Sequence, residues 1–399
     1  MKIGIIDAEL IGSKKHRFPN LCCEKISSYH KKRKDKVQLL TSYEQISDFD
    51  KIYISKVFTK TQVPEWVLEL PNVEYGGTGF YYDKAPDLPY EIEHSFPDYH
   101  LYDKWIKERI AEGKPKLEFR FYTDYSIGYL TRGCFRGCYY CVNRNRKKSE
   151  AASTLTEFMD ESRPKLCFLD DNFFACPNWE RLLQPVLDSG KRFQFRQGLD
   201  ERLLTKDKVI KMSNWAYDEE ISFAFDNIED KELIVNKLML IRSTVPQWTR
   251  KIRFYVFCGA DKNDVYDEEF WKQDILNMFE RIRIIMSFGC LPYIMRFEKV
   301  YESKYKCFYS NVAAWCNQSA FYKKYSFRLF VYCRRAMVKN GYETYGLDWK
   351  KYLEDGNKKG KPWQAADMVE QLCPGISYYY DLKYEDIANK QYVDLPKCM

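Results

Sequence analysis

Between residues 126 and 297 the chain alternates short β-rich runs with amphipathic helical patterns, and this rhythm limits its fold more than any other feature. The runs are SIGYLTR (126–132), KLCFLD (165–170), RFQFRQ (192–197), ISFAFD (221–226), KIRFYVFC (251–258) and RIRIIMSF (281–288). Helical patterns lie between them: WERLLQPVLDSG (179–190), closed by Gly190 as a C-cap, TKDKVIKMSNW (205–215), DKELIVNKLMLIR (230–242) and EEFWKQDILNMFERI (268–282). Strands joined through helices pair in parallel, and ligands then gather at the strands' C-terminal ends. The expected core is therefore α/β, a partial (βα)6 TIM-type barrel over residues 123–297.

The flanks read differently. KIGIID (2–7), KVQLL (36–40) and KIYISKVF (51–58), with a helical pattern over 21–31, describe a small Rossmann-like unit in residues 1–83. YGGTGF (75–80) lacks the strand–GxGxxG–helix context of a phosphate site and is expected to be a tight turn. Residues 84–122, rich at first in Pro, Asp and Tyr, form a connecting segment, and 298–399 a mostly helical C-terminal extension.

Fourteen cysteines need an explanation. The opening MKIGIIDAEL carries no small-residue cleavage site, and no stretch approaches the roughly 18 apolar residues of a membrane span. A cytoplasmic, reducing location is expected, where clustered thiols mean metal or catalysis. One cluster qualifies: Cys134-Phe-Arg-Gly-Cys138-Tyr-Tyr-Cys141, directly after the first barrel strand. Three thiolates on one loop can hold three irons of a [4Fe–4S] cluster and leave the fourth open to a small molecule. Gly133 and Gly137 let the backbone wrap closely. A structural zinc would want a fourth Cys or His, and the nearest histidine, His100, lies in another segment. Cys307, Cys316, Cys333, Cys373 and Cys398 are irregularly spaced and read as buried thiols, and Cys22-Cys23 as a helix face.

CFRGCYYC opening a parallel barrel resembles the motif of the radical S-adenosylmethionine (SAM) enzymes, with Tyr140 as the aromatic before the last cysteine. The resemblance implies that SAM chelates the open iron. An electron from a flavodoxin- or ferredoxin-type low-potential donor would then cleave it to methionine and a 5′-deoxyadenosyl radical. It also implies that polar groups at successive strand ends hold SAM. Asp170, Asp171 and Asn172 stand where the family carries Gly-Gly-Glu for the amino group. Arg196, Gln197, Asp200 and Arg202 suit the ribose and carboxylate, and Gly259 a close approach of adenine. Asp226, Asn227, Tyr293 and Arg296 are the expected substrate-side groups. The domain order resembles the cobalamin-binding branch of the superfamily. That branch's Asp-x-His-x-x-Gly is absent, because the histidines (16, 30, 94 and 100) do not fit it, and cobalamin is not expected.

Three functional readings compete. A lyase acting on a small molecule or modified nucleoside suits strand ends rich in Asp, Asn, Arg and Tyr. On size and domain order it is similar to the queuosine lyases, which release queuine for salvage. A cobalamin-type methyltransferase or a peptide or tRNA modification enzyme is the second reading. A metal-bearing RNA-binding module is the third, supported only by the basic run 144–148. A net charge of +7, from 64 basic and 57 acidic residues, is too mild to favour nucleic acid as a partner.

Overall fold

The apolar run that follows Lys2 forms β1 (Lys2–Asp7), whose interior is almost wholly buried. It pairs in parallel with β2 (Lys36–Leu39) and β3 (Lys51–Ser55), and β3 pairs with β4 (Val73–Gly76), giving the order β2-β1-β3-β4. Order reverses between β1 and β3, the switch point of open α/β sheets. A side chain at Gly4 would stand 2.4 Å from Ile52 Cδ1, so glycine lets the two central strands' side chains pack. The helix Leu21–Lys32 starts where the Asn20 side chain accepts the Cys23 amide, and it buries Cys23 and Ile26 in a core with Ile3, Ile5, Tyr102, Ile106 and Tyr122. The computed structural model describes residues 1–12, 16, 18–248 and 251–388. Cys398 lies outside them.

The chain divides into two compact units, residues 1–197 with 216–218, and residues 198–215 with 219–388 among those described. The first holds, beside the N-terminal sheet, a parallel sheet of β5 (Tyr125–Gly128), β8 (Lys165–Phe168) and β9 (Arg192–Phe195), in that order, with Ile127, Cys167 and Gln194 in register. A two-residue antiparallel ribbon, β6 (Thr131–Arg132) and β7 (Glu150–Ala151), sits within it. Residues 84–122 are packed onto this sheet. Tyr99 OH donates to the Phe158 carbonyl and accepts from Ile127 N, and Arg163 donates to the carbonyls of Tyr99, Tyr122 and Tyr125.

The second unit carries a parallel sheet of β10 (Ile221–Ala224), β11 (Ile252–Cys258) and β12 (Leu291–Arg296), with Phe223, Phe254 and Pro292 aligned. Beyond it the chain is helical, from Lys299–Glu302 to Tyr384–Ile387, around buried Trp315 and Trp363. The protein is thus mixed α/β, with parallel sheets and a helical C-terminal region. Among the described residues no helix is long and apolar enough to cross a membrane.

One expected strand is overturned. RIRIIMSF (281–288) is the last part of a 20-residue helix, Glu268–Ser287, and the strand in that position is LPYIMR, 291–296. Residues 281–287 are buried on every side, so their run of Ile, Arg and Met shows no polar face that could betray a helical period. The Asp267 side chain caps the helix at Phe270, and Gly289, at a φ of +69°, turns the chain after its end.

Candidate metal centre

The ribbon of β6 and β7, pairing Thr131 with Ala151 and Arg132 with Glu150, closes a loop over residues 133–149. Cys134, Cys138 and Cys141 all lie on that loop, each half-buried. Gly133 opens it at a φ of +97°, where a Cβ would stand 2.0 Å from the Lys148 carbonyl oxygen, and Gly137 turns it at +59°. The Cys141 amide donates to the Cys138 carbonyl at 2.9 Å. Backbone amides also reach sulfur: Arg136 N to Cys134 Sγ and Asn143 N to Cys141 Sγ, each at 3.4 Å. Burial pushes the Cys141 thiol up, and the neighbouring Cys138, Asp171 and Cys134 add to the shift. A metal that binds here must take the cysteines as thiolates, and its positive charge would offset their mutual repulsion. A single zinc would draw its sulfurs to about 3.8 Å from one another, the edge of a tetrahedron with 2.3 Å bonds. Among the described residues no three or more His, Cys, Asp and Glu side chains are gathered closely enough to hold one ion. Three thiols on one loop, with amide N–H groups at Cys134 and Cys141, could hold an iron–sulfur cluster, in which each cysteine binds a separate iron.

Three consecutive residues after β8 anchor this loop. Asp170, fully buried, accepts from Leu130 N at 3.1 Å and from Thr131 N and Oγ1 at 2.6 and 2.7 Å. Asp171 accepts from Gly133 N at 2.7 Å and Asn143 Nδ2 at 2.6 Å. Asn172 donates from Nδ2 to Cys134 Sγ at 3.4 Å. Burial raises both carboxyls, that of Asp170 to about 7. Sequence reading set these residues against the SAM amino group, and the structure turns each toward the cysteine loop. A charged or amide side chain just past a strand end has the same sequence signature in either role.

A second set of anchors comes from residues 82–94, a strap that no spacing in the sequence signals. Tyr82 OH donates to the Tyr140 carbonyl at 2.7 Å, and Asp83 accepts from Arg144 Nε at 2.6 Å and Asn145 Nδ2 at 3.0 Å. Asp87 pairs with Arg146, and Glu93 with Arg132 and Lys25. The basic run 144–148 is thereby largely spoken for: Arg144, Arg146 and Lys148 each face an acid. Tyr140 stands edge-on to Tyr139. Beside the loop a cleft of about 420 Å³ opens against Phe135, Lys148, Ala175 and Pro177, a volume that admits a small molecule. Arg196 and Gln197 are exposed after β9, with the Arg196 guanidinium over the Phe121 ring at 5.0 Å.

The remaining expected residues belong to the second unit. Asp200 and Arg202 pair at 2.8 Å, and Arg202 also reaches Asp230 at 3.0 Å. Asp226 accepts from Phe257 N at 3.0 Å, while Asn227 is exposed. Gly259, at a φ of +79°, has its missing side chain's place taken by Val300, 2.1 Å from where a Cβ would lie. Its amide donates to Asp274, which also accepts from Tyr309. Tyr293 stands edge-on to Tyr255, and Arg296 donates to Ser310 Oγ at 2.8 Å. Sequence reasoning missed Arg281, whose buried Nη1 binds the carbonyls of Phe225, Asp226 and Phe257 at 2.8–2.9 Å and so ties the ends of β10 and β11. It missed Glu201 as well, a buried carboxyl that accepts from Ala224 N and that burial pushes up to about 8.

No family model matches this chain, and neither does any curated protein. Solved structures do resemble it. A radical S-adenosylmethionine methyltransferase, TsrM, from Kitasatospora setae, with cobalamin and a [4Fe–4S] cluster bound, aligns over 74% of this chain and 74% of its own, at 10% identity and a TM-score of 0.47. The same enzyme with tryptophan and a SAM analogue aligns over 73% of this chain and 72% of its own, at 10% identity and 0.47. The cobalamin-dependent S-adenosylmethionine radical enzyme OxsB aligns over 74% of this chain and 49% of its own, at 14% identity and 0.33. At these identities and TM-scores the likeness carries no inference about this chain's ligands or reaction.

At the β1/β3 switch point of the N-terminal sheet the polar groups are engaged among themselves. The Glu9 carboxylate accepts from Val57 N and Phe58 N at 3.1 Å, the place where a bound anion would meet the backbone. Both ring nitrogens of His16 are occupied, by Asp7 and by Tyr122. Residues 75–80 are not a turn alone: β4 ends at Gly76 and a four-residue helix, Thr78–Tyr81, follows Gly77, so the strand-to-helix setting not expected there is present, with the Gly79 amide bonded to the Lys56 carbonyl.

Proposed function

We propose that this chain is a radical SAM enzyme whose [4Fe–4S] cluster is held by Cys134, Cys138 and Cys141. The observation that carries the reading is the three-cysteine loop itself, closed by a strand ribbon, with amide N–H groups donating to its sulfurs and residues 170–172 fastened to it. Bound there, a cluster with one open iron would supply the electron that cleaves SAM to methionine and a 5′-deoxyadenosyl radical. The chain's own residues define the loop. Asp170 fixes the approach at Leu130 and Thr131, and Asp171 fixes Gly133 and Asn143. Tyr82 and Asp83 hold the far side.

The test is anaerobic iron–sulfur reconstitution of the full chain, followed by incubation with SAM and dithionite. Formation of 5′-deoxyadenosine and methionine is expected. One zinc per chain with no 5′-deoxyadenosine would overturn the reading in favour of a metal-bearing binding module. For the substrate we favour hydrogen abstraction from a small molecule or modified nucleoside, leading to fragmentation, with queuosine as the specific compound to try. Polar and aromatic groups after β10 and along β12, Asp226, Tyr293 and Arg296 among them, suit a base and ribose. Queuine released from queuosine or its 5′-phosphate supports this, and SAM cleavage without release refutes it. The domain order, a parallel sheet of order 2-1-3-4 ahead of the cysteine loop, favours a second reading, a cobalamin-type methyltransferase. Cobalamin retained by the purified chain, together with methyl transfer, would establish that reading instead.

A further inference from the structure

We propose that Asn172 is a positioning residue that sets the reduction potential of the cluster, through its Nδ2–H bond to the Cys134 sulfur. This rests on the reading of the loop as a [4Fe–4S] site. Donors that reach the cysteine sulfurs at 3.4 Å include the backbone amides of Arg136 and Asn143. The Asn172 side chain makes another such bond and converges on Cys134 with that of Arg136. Asn172 is 3% exposed, and its neighbour Phe173 is wholly buried. The Asn172 backbone carbonyl accepts from Ser149 Oγ at 2.9 Å, which fixes the main chain at this point, and Ser149 is itself buried. Burial of the side chain keeps the amide beside the sulfur out of solvent.

A cluster that gains one electron gains one negative charge, part of which resides on its thiolate sulfurs. An N–H dipole aimed at a sulfur stabilises that charge more in the reduced state than in the oxidised one, so it raises the potential. Burial strengthens the effect, because water does not screen the dipole. The step moves one electron from the reductant to the cluster, with no bond made or broken and no proton transferred. Asn172 differs in this from Asp170 and Asp171, whose hydrogen bonds go to the Leu130, Thr131 and Gly133 amides, the Thr131 hydroxyl and the Asn143 side chain.

The experiment compares the wild-type full chain with Asn172→Leu, Asn172→Asp and Thr131→Val, all reconstituted anaerobically. Iron and sulfide are counted, and the midpoint potential is read by EPR-monitored redox titration. Thr131→Val removes a hydroxyl donor to Asp170 and so disturbs the loop's anchorage without altering a bond to sulfur. Asn172→Leu is expected to shift the reduced-to-oxidised ratio at fixed ambient potential roughly tenfold toward oxidised, a midpoint lowered by ~59 mV for a one-electron couple. Asn172→Asp, which sets a negative charge against the sulfur, is expected to lower it further, and Thr131→Val to leave it unchanged. The proposal is overturned if Asn172→Leu keeps the wild-type midpoint, or if Thr131→Val shifts it equally. It is overturned as well if both Asn172 variants lose the cluster while Thr131→Val keeps it, since Asn172 would then be needed for assembly alone. A wild-type chain that takes up zinc and no cluster fails at the metal count, which marks the failure as that of the functional reading.

Discussion

Replacing Glu201 with glutamine should stabilise this protein, by an amount that grows with pH. Glu201 is 1% exposed, accepts from Ala224 N at 3.1 Å through one oxygen, and has its other oxygen, Oε1, buried without a hydrogen-bond partner. Burial, with the charge of Asp200 adding to it, pushes its carboxyl from 4.5 to about 8. A folded chain that holds this proton more tightly than the unfolded chain has its full stability below about pH 4.5 and loses it as the pH rises through about 8. The loss runs at about 1.4 kcal/mol per pH unit. It reaches about 3 kcal/mol by pH 7 and about 5 kcal/mol once the group is ionised. Glutamine has nearly the same shape, offers its carbonyl to Ala224 N and never ionises. Glu201→Gln should therefore match the wild type within about 1 kcal/mol at pH 5, exceed it by about 3 at pH 7, and exceed it by more at pH 9. Urea denaturation at the three pH values, with the slopes compared to confirm that both chains expose the same surface, measures the difference. A gap that stays flat across pH, or a variant weaker than the wild type at pH 9, refutes the burial argument.

Three further outcomes follow from the same geometry. Substituting serine at Cys134, Cys138 or Cys141 should abolish iron retention and 5′-deoxyadenosine formation while leaving the far-UV circular dichroism intact, because the loop's anchors are made by other residues. Asp170→Ala should cost about 2–6 kcal/mol in denaturant midpoint measurements, since it leaves two buried amides, Leu130 N and Thr131 N, without acceptors at about 1–3 kcal/mol each. Gly259→Ala should lower the thermal midpoint by several degrees, since a side chain at a φ of +79° is strained and would meet Val300 at 2.1 Å.

The parts of this structure that could be read from the sequence are those where a local pattern has one physical solution. KIGIID is a strand over the whole of 2–7, because a β-branched run before a polar residue at a sheet's centre permits little else. The helices at 179–188, 206–213 and 231–244 lie where their apolar faces recur. The glycines at 133 and 137 marked where the cysteine loop turns, since both stand at positive φ. The failures share a different cause. RIRIIMSF is helical because it continues a capped helix into the interior, and burial on all sides erases the period that would have shown it. The bonds that Asp170, Asp171 and Asn172 make to the cysteine loop are not in the sequence either, because the direction of a side chain past a strand end is set by what packs beside it. Glu201 and Arg281 are of residue types that usually lie on a surface, and only the tertiary fold buries them.

The strap from Tyr82 to His94 makes the cysteine loop dependent on chain that lies some 40 to 60 residues before it. Its anchors at Tyr140, Arg144, Asn145, Arg146 and Arg132 reach the loop from outside the sheet that carries it. The strap's end is tied back to the N-terminal helix by Lys25, which holds Glu93. A fragment beginning at the first core strand would keep all three cysteines and the residues after β8, yet the loop would have only one side fixed. The N-terminal sheet therefore has a use that needs no ligand of its own: as a buttress, it lowers the entropy that three thiols would otherwise lose on closing around a metal. Domain boundaries drawn from strand rhythm alone would cut through that buttress.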